Sequence, residues 1–301
     1  MAQDRLADRA VLVTGAGRGI GAAIARLAAA QGAAVGVNDL DPEPAAEVAE
    51  EIRAGGGRAV AVPGNIADWA TAGAIVGAVV DEFGALDGLV ANAGVFGMAL
   101  PQQQDPEEFR RILEINVLGV AWPGLHAIRH MTERGRGSVV TVTSSAIAGL
   151  TSMGAYGASK GAVASMTLGW ALDLQGTGVR VNALSPIAQT RMQSVRMDYE
   201  GLSGAEREAA VAQRTVEPEF NAPAAVHLLS DRSAPMTGQI VQIGRGNRLD
   251  LLTHHGLVGP GTEIGPTIED VERAFAEVLD AWAQPIGLHR QGSHHAAGVP
   301  A

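Results

Sequence analysis

The chain has 301 residues, enough for one large α/β domain or two small ones with a sizeable core. A formal net charge of -10 argues against nucleic acid or an anionic membrane as the main partner, and the absence of cysteine excludes disulfides and thiolate metal sites. The first residues are too polar for a signal peptide and no apolar run is long enough to cross a bilayer, so a cytoplasmic location is expected.

Val11-Leu12-Val13 is a short apolar strand that runs into Thr14-Gly15-Ala16-Gly17-Arg18-Gly19-Ile20-Gly21, and Ala22 to Ala30 has helix-forming composition. A strand, a glycine-rich turn and a helix start make an anion site, because backbone N–H groups and the positive helix end converge on a phosphate. No Gly-Lys-Ser/Thr follows, so the pattern is not a P-loop. The second strand, Ala33 to Asn38, delivers Asp39. In a dinucleotide fold an acidic group there accepts hydrogen bonds from the adenosine ribose and repels a 2'-phosphate, which favours NAD over NADP. Arg18 pulls the other way, as a guanidinium able to bind a 2'-phosphate.

A helix from Pro42 to Ala54 is stopped by Gly55-Gly56-Gly57. Arg58 to Pro63 makes a third strand, followed by Gly64-Asn65-Ile66-Ala67, and Asp68 caps a helix reaching Phe83. Leu86 to Val90 is the fourth strand, ending in Ala91-Asn92-Ala93-Gly94, whose small side chains leave room for a ligand across the sheet edge. Asp105-Pro106-Glu107-Glu108 starts a helix expected to continue to about Arg134, with Asn116 set between the apolar Ile115 and Val117.

No charged residue occurs between Arg136 and Lys160. Ser138 to Ser145 reads as a buried strand ending on hydroxyls, and a helix beginning near Tyr156 reaches Leu174. On that helix Tyr156 and Lys160 share one face. A cation roughly 4 Å from a phenol, at an effective dielectric of ~20, is worth about 4 kcal/mol or about 3 pK units, enough to bring tyrosine into the acid/base range. Val179 to Leu184 is a sixth strand, preceding Ser185-Pro186-Ile187-Ala188-Gln189-Thr190. The polar stretch from Gln193 to Arg214 lies where a substrate lid is expected. Asn221 to Leu229 reads as a short helix and Gly238 to Ile243 as a seventh strand, so the fold class is α/β with a doubly wound, parallel, seven-stranded sheet.

The order and spacing of Thr14-Gly15-x-x-x-Gly19-Ile20-Gly21, Asn92-Ala93-Gly94, Asn116, a serine ending the fifth strand, Tyr156-x-x-x-Lys160 and Asn182-x-x-x-Pro186 with Thr190 resemble the classical short-chain dehydrogenase/reductase family over about residues 6 to 244. The resemblance implies a Rossmann-type sheet with helices on both faces, and an NAD-dependent oxidoreductase passing a hydride between nicotinamide and a secondary alcohol or ketone. By position it implies Tyr156 as general acid/base and Lys160 as the ribose ligand that lowers the tyrosine pKa. Asn116 anchors the proton relay, and Ser144 or Ser145 orients the carbonyl. Gly15, Gly19, Ile20 and Gly21 fall on the pyrophosphate side, with Arg18 beside them. Asp39 falls on the ribose, Asn65 and Ile66 on the adenine, Asn92, Ala93 and Gly94 along the middle of the dinucleotide, and Pro186, Ile187 and Thr190 at the carboxamide.

Three positions depart from the family pattern. Asn65 stands where Asp is usual, Ile187 where Gly is common after the proline, and Ile243-Gly244-Arg245-Gly246 replaces an acidic Gly-Gly ending. The resemblance further implies a small-molecule substrate and a homodimer or homotetramer paired through the helices that carry Asn116 and Tyr156.

Residues 1 to 246 form the dinucleotide domain on this reading, and residues 247 to 301 an extension with one helix at about 267 to 283. That helix has an apolar stripe of Ile268, Val271, Phe275, Val278 and Leu279. His254-His255 and His294-His295 lack acidic partners and read as a solvent-facing tail with no metal. The extension, Val37 to Leu40 and Pro186 to Met192 are also similar to the dehydrogenase part of multifunctional 3-hydroxyacyl-CoA enzymes, an alternative assignment. A non-catalytic, NAD-responsive binding protein on the same fold is another.

Overall fold

The computed structural model describes residues 4–187, 197–206, 217–244, 248–253 and 256–283. Short apolar runs bounded by glycine turns form the strands β1 (Ala10–Val13), β2 (Ala34–Val37), β3 (Arg58–Ala61), β4 (Gly88–Ala91), β5 (Gly137–Val142), β6 (Val179–Ser185) and β7 (Ile240–Gly244). These seven pair in parallel in the order β3-β2-β1-β4-β5-β6-β7. The strand order reverses beside β1, which lies between β2 and β4, and at such a switch point a parallel sheet leaves a crevice at the carboxyl ends of its strands.

Burial on both faces of the sheet explains the near-continuous apolar strands. Val11, Val13, Val35, Val37, Val90 and Val140 pack on one side, with α1 (Gly19–Ala30), α2 (Pro42–Ala54) and α7 (Ala222–Leu229). Leu12, Leu89, Ala91, Val139 and Val181 pack on the other, with α3 (Trp69–Phe83), α5 (Gly119–Arg134) and α6 (Gly154–Asp173). Successive residues of one strand thus feed opposite layers. Asp68 accepts from Thr71 N at 2.8 Å to cap α3, and Asp105 accepts from Glu108 N at 2.8 Å to cap α4 (Pro106–Leu113).

Two expectations need correction. The helix expected from Asp105 to Arg134 is broken by a π-helical turn, Glu114–Leu118, between α4 and α5. Just after it, Gly119 has no Cβ, and one placed there would collide with Ile66 Cδ1. The sheet also has nine strands rather than seven. β8 (Arg248–Thr253) and β9 (Gly256–Glu263) form an antiparallel hairpin on the β7 edge, with Val241 opposite Leu251 and Ile243 opposite Leu249. Leu249 and Leu251 join the core, while the glycines and proline of β9 disguise it as loop in the sequence.

After the hairpin, α8 (Ile268–Ala274) starts in a capping box between Thr267 and Asp270, and the chain continues helically to Trp282. Phe275 stacks on His227 of α7 at 4.4 Å between ring centroids, and burial pushes the His227 pKa down to about 4. Arg5 donates to Glu272 at 2.7 Å and to Glu269 at 2.8 Å, tying the amino-terminal segment to the extension. Among the described residues no helix is long and apolar enough to cross a membrane.

Candidate active site

The crevice is floored by backbone. Gly15 (φ 60°) and Gly19 (φ 57°) turn the chain in the left-handed region, where glycine carries no Cβ penalty. A Cβ on Gly15 would lie 2.8 Å from Ala93 Cα, and one on Gly21 would fall onto the Gly15 carbonyl. The α1 N-cap, Arg18, makes no side-chain capping bond, so that helix end keeps N–H groups for a ligand. Thr14 holds the opposite wall. Its hydroxyl accepts from Asn92 N and from Ala93 N, both at 3.1 Å, while Asn92 Nδ2 donates to Thr14 O at 2.9 Å and Gly15 O at 3.1 Å.

At the far end of the crevice the Asp39 carboxylate accepts from Gly17 N at 3.0 Å and from Asp41 N at 3.3 Å, which fixes its orientation. The Arg18 guanidinium is drawn to Asp41 at 3.4 Å. Asn38, just before Asp39, is buried and donates to Val62 O at 2.9 Å, joining the ends of β2 and β3. Asn65 accepts from Ala67 N at 3.0 Å, a local turn that an aspartate in the same place could also make. The Ile66 side chain faces the core, so any contact it offers to a ligand at this rim comes from its backbone.

Tyr156 and Lys160 lie one turn apart at the start of α6, both buried. The Lys160 ammonium donates to Val142 O at 2.8 Å and sits 5.8 Å from the centre of the Tyr156 ring. Burial pushes the Lys160 pKa down to about 8. Burial also pushes the Tyr156 phenol up to about 12, opposed by the neighbouring Ser144 hydroxyl. The direction is opposite to the lowered phenol expected from the sequence. Desolvation of the phenolate outweighs a lysine whose ammonium is turned to a backbone carbonyl.

Of the two candidate serines, the geometry brings Ser144 to Tyr156, half-buried, while Ser145 is exposed. Asn116 Nδ2 donates to Ser159 Oγ at 3.0 Å, and Ser159 donates to Tyr156 O at 2.7 Å, so the π-helical turn braces the first turn of α6. The Asn116 amide is also paired with the backbone of Val95, donating at 2.9 Å and accepting at 2.7 Å.

Ile187 follows Pro186 and is clamped by Asn221, which accepts from Ile187 N at 3.1 Å and donates to Ile187 O at 2.9 Å. Thr190 lies outside the described residues, as do Arg245, Gly246, residues 193–196 and 207–214 of the expected lid, and all four paired histidines. Within the described part of that segment, Tyr199 donates to Ser152 Oγ at 3.1 Å, bringing it onto the loop before α6. Sequence reasoning passed over the parts played by Asn221, Ser159 and Asp41. Asn221 and Ser159 act through bonds to residues distant in the chain or across a helical turn, and neither carries a motif.

The crevice suits a dinucleotide. Glycines clear the floor, the α1 end carries no side-chain cap, and a carboxylate fixed by backbone stands at the far end. Comparison with known proteins agrees. The family model "short chain dehydrogenase" matches residues 9–200. Cis-4-hydroxycyclohexanecarboxylate dehydrogenase of Sinomonas cyclohexanicum is 38% identical over 250 residues, covering 81% of this chain and 98% of that one. 2-(S)-Hydroxypropyl-CoM dehydrogenase 3 of Xanthobacter autotrophicus is 34% identical over 252 residues, covering 81% and 98%. Among solved structures, a gluconate 5-dehydrogenase from Burkholderia cenocepacia in complex with NADP and tartrate superposes with a TM-score of 0.74 at 30% identity, covering 81% and 97%.

The chain belongs to the short-chain dehydrogenase/reductase family. It is an oxidoreductase of CH–OH groups that binds a nicotinamide dinucleotide.

Proposed function

We propose that the protein is an NAD-dependent dehydrogenase of secondary alcohols, or reductase of the matching ketones, with Tyr156 as its general acid/base. The observation that carries this reading is the Tyr156 phenol, buried beside Ser144 and one helical turn from Lys160. The two curated relatives, named as dehydrogenases of hydroxy compounds, support the substrate class.

When bound, the dinucleotide supplies the hydride acceptor or donor. Gly15, Gly19, Ile20 and Gly21 hold its pyrophosphate side, Asp39 its adenosine ribose, Asn65 and the Ile66 backbone its adenine, and Asn92 to Gly94 its middle. Pro186 and Ile187, clamped by Asn221, take the carboxamide end together with Thr190. Ser144 donates to the substrate oxygen and stabilises the negative charge that grows on it. Tyr156 takes the hydroxyl proton in oxidation and returns it in reduction. Lys160 holds the nicotinamide ribose, and its charge favours the phenolate. Asn116 keeps the Tyr156 turn in place and begins the path by which the proton leaves.

NAD is preferred over NADP on this reading, because the Asp39 carboxylate is held in place and Arg18 is drawn towards Asp41. The exposed Leu40 beside Asp39 offers apolar surface to an adenine. Assembly as a homodimer or homotetramer through α5 and α6 is part of the reading. It is supported by the exposed Leu125 and Leu172, and a monomer in light scattering would remove it.

The central test is turnover of NAD with a panel of secondary alcohols by the protein and by Tyr156→Phe. The variant is expected to lose about 10³-fold in kcat while still binding NAD. Undiminished turnover would sink the mechanism. Binding of NAD with no turnover of any alcohol or ketone by the unmodified protein would favour the NAD-responsive binding protein.

A further inference from the structure

Resting on the dehydrogenase reading, we propose that Phe96, Met98 and Met153 form a specificity wall that selects secondary alcohols whose carbinol carbon is flanked by bulky, uncharged hydrocarbon. The wall begins with the short span after β4, which is pinned at both ends. Asn116 holds both backbone groups of Val95. Four residues on, Ala99 N donates to Ser152 O at 2.9 Å, and Ala99 forms a β-bridge with Met153.

Between these anchors the side chains alternate. Gly97 faces α4, where a Cβ would lie 3.0 Å from both Glu108 Oε1 and Ile112 Cδ1. Phe96 and Met98 pack against Tyr156, Met153 and Ala146. The Phe96 ring meets the Tyr156 ring edge to face, 4.9 Å between centroids at 76°. Among the described residues the nearby charges are directed elsewhere: Glu108 is bound by Arg111 at 2.8 Å, and the Lys160 ammonium donates to Val142 O.

A substrate oxygen that reaches the Tyr156 hydroxyl therefore brings its neighbouring carbons against an aromatic ring and two thioethers. Hydrocarbon is favoured there, since methionine adapts its shape and the ring offers a wide contact surface. A carboxylate on the carbinol carbon would lose water without gaining a partner from this wall.

The test uses the full chain with NAD and three alcohols: cyclohexanol as the bulky apolar probe, lactate as the charged one, and 2-propanol as the probe too small to use the whole wall. The protein is expected to prefer cyclohexanol over lactate in kcat/KM by at least about tenfold. Phe96→Ala is expected to lose about tenfold on cyclohexanol and much less on 2-propanol, with Phe96→Leu recovering part of the loss. Equal losses on cyclohexanol and 2-propanol would overturn the inference, leaving Phe96 as a support for Tyr156. A preference for lactate would also overturn it.

Binding of cyclohexanone and of pyruvate with NAD present, where neither ketone can be reduced, is measured in parallel by ligand-observed NMR. Selective binding of cyclohexanone, lost in Phe96→Ala, with no turnover of any alcohol would sustain the wall and sink the dehydrogenase reading. Indifferent binding alongside good turnover would do the reverse.

Discussion

On the proposed reading, the dinucleotide and catalytic halves of the active site are built from different materials. The dinucleotide half, at the ends of β1, β2 and β4, is largely backbone: turns with positive φ, an uncapped helix end, and polar side chains that serve mainly to hold other backbone in place. The catalytic half, around the start of α6, is buried side chain: a phenol, an ammonium and an amide whose properties depend on what surrounds them. Backbone geometry is written locally, in glycines and strand lengths. Side-chain chemistry is set by packing from several elements, and one half can therefore be damaged with little change in the other.

Gly21→Ala is the sharpest way to break that separation. The added Cβ would fall onto the Gly15 carbonyl and 2.6 Å from Asn92 Nδ2, inside the turn itself. NAD affinity measured by calorimetry is expected to drop by about 10²-fold, the equivalent of a strained backbone of a few kcal/mol. Gly161→Ala is the control. It lies in α6 one residue after Lys160, a Cβ there meets nothing within 4 Å, and alanine is the better helix former. NAD affinity equally reduced in both variants would mean that the cradle is not local to the turn.

A second measurement sharpens the other half. The chain has two tyrosines, so phenolate absorbance against pH resolves Tyr156 by comparison with Tyr156→Phe. Burial holds the phenol up at about 12, against an ordinary value of about 10, so the folded protein keeps this proton where an exposed phenol would lose it. Bound NAD, with its cationic nicotinamide, is expected to lower that value, and oxidation should speed up as pH rises through it. A Tyr156 step at 10 or below without NAD would show that burial does not control this group. A value unmoved by NAD would place the phenol away from the nicotinamide.

These halves were unequally legible in the sequence. Thr14 through Gly21, Asp39 and Asn92 to Gly94 announce themselves because glycines, strand ends and small residues dictate backbone shape over a few positions. Tyr156 and Lys160 were legible as a pair on one face, since helical periodicity fixes their relation. The direction of the phenol shift was not, because it follows from desolvation by Phe96, Met153 and Ala146, residues brought together from separate loops. Asn221 escaped for the same reason, its amide bonding Ile187 far back in the chain. The β8–β9 hairpin was hidden by its own glycines and proline, and is held by pairing to β7, a tertiary fact. The π-helical turn has no composition signal in a stretch whose residues suit an α-helix equally well.

The smallest expected effect lies where a side chain does intervene in the backbone half. Arg18 stands in the glycine turn as a ready partner for a 2'-phosphate, yet its guanidinium is 3.4 Å from Asp41, both side chains being half-exposed or more. Such a pair is worth about 0.2–1 kcal/mol, so it biases Arg18 without locking it. Asp41→Asn removes that competitor and one nearby negative charge, while the Asp41 backbone N–H that donates to Asp39 is retained. NADP affinity is expected to rise by about threefold and NAD affinity to change less, with the gain fading at high salt because the charges are screened. Arg18→Ala combined with Asp41→Asn should show no such gain. If Asp41→Asn tightened NAD and NADP alike, Asp41 would act through general charge at the cradle, and discrimination would rest on the Asp39 carboxylate alone.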